Sequence, residues 1–134
     1  MHTACARHTR QAADRLKAAA TAVAADPVLH DLALLKAVMV SGAAMDAAER
    51  DKILADLSKR GAPFELLALE QKAVALIGAG RNDDAITLIG QIQQKDGLSE
   101  ALRRRLSEMM ITLGAEAKPN KGPGPEPMPA PPVN

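Results

Sequence analysis

Aromatic side chains are almost missing from this chain of 134 residues, which has one Phe and neither Tyr nor Trp. Sheets favour aromatic and β-branched residues, and no stretch alternates polar and apolar with period two, so extended structure is not expected. Any core must come from Leu, Ile, Val, Met and a large share of Ala, which favours helix and permits close helix crossings. The one cysteine, Cys5, has no partner for an internal disulfide and leaves the redox compartment unread. Charge of one sign is also lacking. The 17 basic and 16 acidic residues sum to +1, too little for a long-range field toward nucleic acid or anionic lipid. Long apolar runs are absent too: Leu32 to Val40 is broken by Lys36, and Ala73 to Gly80 falls far short of the ~20 residues that cross a bilayer. Neither a secretory segment nor a membrane span is expected, and the chain reads as soluble.

What is present is an all-α pattern. With 47% hydrophobic and 25% charged residues, the composition suits one folded domain. A first Ala-rich helix is expected from about Thr9 to Ala25, with Leu16, Ala20 and Val23 on one face and residues 1–8 as a flexible amino terminus. Asp26-Pro27 ends it and opens a second helix to about Ser41, Asp as the cap and Pro in the first turn. Asp46 caps a third, with Glu49 three residues on completing an approximate capping box and Ile53, Leu54 and Leu57 as its core face. Gly61-Ala62-Pro63 starts a fourth, Phe64 to about Ala79. Gly80 takes the left-handed conformation after it, Asn82 caps a fifth helix running through Gln94, and Ser99 caps a sixth that carries Leu102, Leu106, Met109, Met110 and Leu113. Residues 118–134 hold seven prolines in seventeen positions and are expected to be a disordered, solvated tail, leaving 9–117 as the folded domain.

The breaks at Pro27, Pro63 and Leu98 lie 36 and 35 residues apart. That is close to the ~34-residue period of tetratricopeptide repeats, pairs of antiparallel helices. Leu69 to Gly97 fits the pattern W-x2-L-G-x2-Y…A-x3-F…P, with Leu69, Lys72, Ala73 and Leu76 in the first slots and Ala85, Ile89 and Gly97 in the last. Aliphatics replace the aromatics. Ala73 and Ala85 mark where two helices approach closely, and Leu69, Leu76 and Ile89 fill the space around that crossing. Leu69, Ala73, Leu76, Gly80, Ala85 and Ile89 are therefore the structural repeat positions. The fold expected is a short solenoid of about six helices: half a repeat, two pairs and a closing helix, the first pair being more divergent because its turn, Gly42 to Asp46, is longer.

Four segments carry a resemblance to a known family: DPVLHDLALLKA from Asp26, GAPFELLALE from Gly61, AGRNDDA from Ala79 and GLSEALRRR from Gly97. From about Ala24 to Ala115 the chain resembles the carboxy-terminal part of the tetratricopeptide-repeat-like proteins of alphaproteobacterial inner membranes, relatives of the ancillary subunit of the Sec translocon. The resemblance implies a non-enzymatic scaffold at the periplasmic face of the inner membrane, with translocon or chaperone components as protein partners. The family's membrane helix and first repeats have no counterpart here, so membrane contact is expected only through an amino-terminal anchor that this sequence lacks; complete as written, the chain would be cytoplasmic. The alternative is a soluble cytoplasmic module that associates with itself.

Chemical sites are few. His2, Cys5 and His8, three apart, are too few for a zinc site at a terminus. His30 beside Asp31 has no nucleophile or pocket to serve and reads as a surface histidine. Asp83-Asp84 suits the positive end of a helix dipole. Arg103, Arg104 and Arg105 fan out around their helix rather than gathering on one face, and the basic residues near the amino terminus read as a solvated helix face. No cofactor, metal, nucleic acid or small-molecule substrate is implied, and no catalytic residue is assigned. The remaining candidate is a surface: Leu34, Val38, Leu67, Glu70, Val74 and Ile77 are expected on the inner wall of the solenoid, as a groove for a peptide or partner helix or as packing for further helices.

Overall fold

The computed structural model describes residues 2–114, with side chains from Ala4 onward; the tail expected over 118–134 lies outside the described residues. Within them the protein is all helical. Six helices run in order: α1 (His2–Ala22), α2 (Pro27–Ser41), α3 (Ala47–Leu57), α4 (Glu65–Gly78), α5 (Asn82–Gln93) and α6 (Glu100–Thr112), with one 3-10 turn, Gly42–Ala44, between α2 and α3. No strand occurs among the described residues.

Local chemistry sets most boundaries. The Asp26 carboxylate accepts from the backbone N–H groups of Val28 and Leu29, at 3.1 and 3.2 Å, and Pro27 occupies the first turn where no donor is needed. Asp46 accepts from Glu49 N and Ser99 Oγ from Leu102 N. After α4, Gly80 has φ 75°, its N–H reaches Ile77 O, and Arg81 N–H reaches back to Leu76 O at 2.9 Å, a Schellman closure.

Three expectations about boundaries are corrected. The first helix starts at His2 rather than Thr9, because no Gly or Pro interrupts the chain before Pro27; residues 2–8 are helical. Asn82 is the first residue of α5 and not its cap; the preceding Arg81 has no side-chain cap, and its guanidinium instead pairs with Asp84 at 2.8 Å. Glu49 does not close a capping box, since its carboxylate takes the Lys17 ammonium of α1 at 2.9 Å.

Two apolar clusters hold the helices together. The first joins Leu35, Ala37 and Val38 of α2 to Met45, to Leu54 and Leu57 of α3 and to Ala68 of α4. The second joins Ala73 of α4 to Ile89 and Ile92 of α5 and to Leu102 and Leu106 of α6. Helix α4 thus contributes to both, through Ala68 on one side and Ala73 on the other. Ala73, Ala85 and Ile89 are fully buried where α4 and α5 cross, while Leu69 packs against the second cluster and Leu76 is half-buried. The pairing of α2 differs from expectation: its most extensive contact is with α1, not α3. Ala13 and Ala20 of α1 and Ala37 of α2 are buried and small, which permits that approach, and His30 Nδ1 bonds to Ala20 O at 2.9 Å across it. His30 is therefore a tie between helices and not a free surface group.

Candidate partner-binding face

Contacts beyond chain neighbours define how the elements line up. α2 touches α4 directly, α1 reaches α3 through Lys17–Glu49, and α4 reaches α6 through Glu70–Arg105. Even-numbered helices thus neighbour one another along one side, and odd-numbered helices do so in α1 and α3.

Glu70 is 8% exposed, the one buried carboxylate among the described residues. Arg105 grips it with two prongs: Nε to Oε1 at 2.9 Å and Nη2 to Oε2 at 2.8 Å. Planar fork-to-carboxylate geometry is the strong form of such a contact. The hydrogen bonds to Glu70 hold the Arg105 guanidinium above its ordinary pKa, against the opposing effect of burial. Lys17 is likewise raised from its ordinary 10.5, first by its hydrogen bond to Glu49. A third pair, Lys95 Nζ to Glu65 Oε1 at 3.4 Å, ties the end of the fifth helix to the start of α4.

The six residues expected to share one inner wall are divided by the structure. Leu67 and Val74 stand open at 38% and 46% exposure. Val38 is buried in the first cluster, Leu34 packs against it, Ile77 is half-buried and Glu70 is held by Arg105. The correction has a geometric cause. At about 100° per residue, Leu34 and Val38 lie roughly half a turn of the helix wheel from the open side of α2, which carries Val28, Leu29, Leu32, Lys36, Met39 and Val40. Val28, Leu29, Met39 and Val40 are 46–56% exposed.

These four residues are the ones missed from sequence. Their signal is that α2 is apolar all round, whereas a helix packed on one side needs only one apolar stripe. The stretch Pro27–Ala44 has a mean hydropathy of 1.3 and, by length and composition, is the one helical stretch among the described residues able to cross a membrane, although no single uninterrupted run within it is long enough. Its buried members, Leu35, Ala37, Val38 and Ser41, are enclosed by protein.

On α4, Ala68 faces the α2 cluster, Glu70 faces α6, and Ala73 faces α5. Leu67 and Val74 fall between the directions of Ala68 and Glu70, about 100–120° round the helix from Ala73, which faces α5. With Ile111 of α6, 72% exposed, every large apolar side chain that stands exposed among the described residues is on α2, α4 or α6.

No group of three or more His, Cys, Asp or Glu among the described residues is placed to hold a metal ion. An open trough of about 590 Å³ lies between the start of α4 and the α5–α6 connection, lined by Phe64, Glu65, Lys95 and Ser99 among others. Glu65 is engaged there by Lys95 and by Gly61 N–H. No protein-family model, curated protein or solved structure matches the chain.

Proposed function

We propose that the chain is a tetratricopeptide-like stack that works as a non-enzymatic scaffold for protein partners. The observation that carries this is the confinement of the large exposed apolar side chains, among the described residues, to α2, α4 and α6. In stacked helix pairs, alternate helices line one wall, and such walls receive peptides or helices. Further support comes from the three ion pairs that join helices, Lys17–Glu49, Glu65–Lys95 and Glu70–Arg105, whose partners are 32, 30 and 35 residues apart, each near one repeat period. By the resemblance of its four segments, the partners are translocon or chaperone components at the periplasmic face of a bacterial inner membrane.

The test is a pull-down with purified translocon and periplasmic chaperone components, using the wild-type chain, Met39→Glu and a charge-matched helical control. Recovery by the wild type and loss with Met39→Glu is expected. Recovery no better than the control overturns the proposal, and a concentration-dependent dimer in sedimentation that Met39→Glu dissolves points instead to self-association.

A further inference from the structure

The open side of α2 has one charged residue inside an apolar surround. Lys36 is exposed, with Leu32 one turn before it and Met39 and Val40 one turn after, and among the described residues it takes part in no ion pair. Leu67 and Val74 are also exposed, on α4, which contacts α2. We propose that this face receives a single amphipathic helix from a partner protein, with a carboxylate inside its apolar stripe that meets Lys36. The inference rests on the scaffold reading and deepens it by naming the chemistry of the partner.

Dimensions and charge select this occupant. Val28 to Val40 spans about 18 Å of helix, the length of a partner helix of about twelve residues. The four half-exposed α2 side chains Val28, Leu29, Met39 and Val40 leave on the order of 400 Å² to cover, whereas a stable pair of folded proteins takes about 800 Å² from each side. A second copy docked through α2 is a poor match on charge as well. An antiparallel α2 pair that sets Val28 against Val40 brings the two Lys36 residues within about one helical turn of each other, like charge against like in a drying interface. A carboxylate in the same place gains a charge-assisted hydrogen bond and gives the complex a register, because apolar stripes alone slide.

The probes are two labelled fifteen-residue amphipathic peptides, identical except for Glu or Lys at the centre of a leucine stripe. Binding is read by fluorescence anisotropy on the full chain and on Lys36→Glu and Met39→Glu, all checked for helicity by circular dichroism. The Glu peptide is expected to bind the wild type at least tenfold more tightly than the Lys peptide, the preference to reverse with Lys36→Glu, and both peptides to weaken with Met39→Glu. Equal binding of the two peptides overturns the inference while leaving the scaffold reading intact if the pull-down succeeds. Failure of both peptides to bind overturns it outright. Flotation of the chain with neutral phosphatidylcholine vesicles, lost with Met39→Glu, also overturns it, because a lipid surface would then be what the face covers.

Discussion

Glu70 of α4 and Arg105 of α6, 35 residues apart, form a two-pronged ion pair that joins the two helices, with the carboxylate buried and the guanidinium partly in water. Arg105→Ala leaves that buried carboxylate without its partner, and a buried acceptor without a partner costs about 1–3 kcal/mol. Urea unfolding followed by circular dichroism is expected to show a loss of this size. Arg103→Ala and Arg104→Ala, exposed on the same helix, are expected to stay within about 0.5 kcal/mol of wild type. Arg105→Lys is expected to recover only part, since an ammonium does not match both carboxylate oxygens.

The crossing of α4 and α5 depends on small residues. Ala73 is fully buried within the second cluster, against Ile89 and Ile92. Ala73→Leu adds three carbons where no space is left, and overpacking of this kind costs about 1–3 kcal/mol. A lowered midpoint in thermal unfolding is the expected result, while Ala79→Leu, exposed at the end of the same helix, should leave the midpoint close to that of wild type.

Gly80 sits at φ 75° with open space where a Cβ would go. The cost of Gly80→Ala is therefore backbone conformation alone, about 1 kcal/mol. Differential scanning calorimetry should register that loss. Gly78→Ala, inside α4 with equally open space and an ordinary φ, should be neutral or slightly stabilising.

How far the sequence is legible follows the range of each interaction. Asp26, Asp46, Ser99 and Gly80 act on backbone groups a few residues away, so helix order and most boundaries are readable from spacing. The buried faces marked by Ala73, Ala85 and Ile89 are readable as well, because helical periodicity repeats the same choice several times. The open side of α2 is not. It depends on α1 packing against another side of α2, a contact that no local pattern declares, and on α3 and α4 enclosing Leu34 and Val38, which together leave Val28, Leu29, Met39 and Val40 outward. Glu70 is ambiguous for a related reason: a carboxylate on a helix reads as exposed until Arg105, 35 residues later, is seen to reach it.

Glu65 gives the fold a pH dependence whose sign can be worked out. Its carboxyl is lowered from the ordinary 4.5, first by the hydrogen bond donated by Gly61 N–H and then by Lys95 and Arg60, with burial opposing them. A carboxyl with a depressed folded-state pKa contributes stability that is complete above its unfolded value and is lost as pH falls through the folded one. Glu65 therefore stabilises the junction of α4 with the end of α5 at neutral pH, and this contribution is lost progressively in acid, from about 4.5 downward through its lowered folded value. Denaturant unfolding between pH 7 and pH 3 is expected to show a shallower loss of stability for Glu65→Gln than for wild type, with the two curves converging at the acid end. Lys95→Ala should shrink the same difference without abolishing it, because Gly61 N–H remains to favour the charged form.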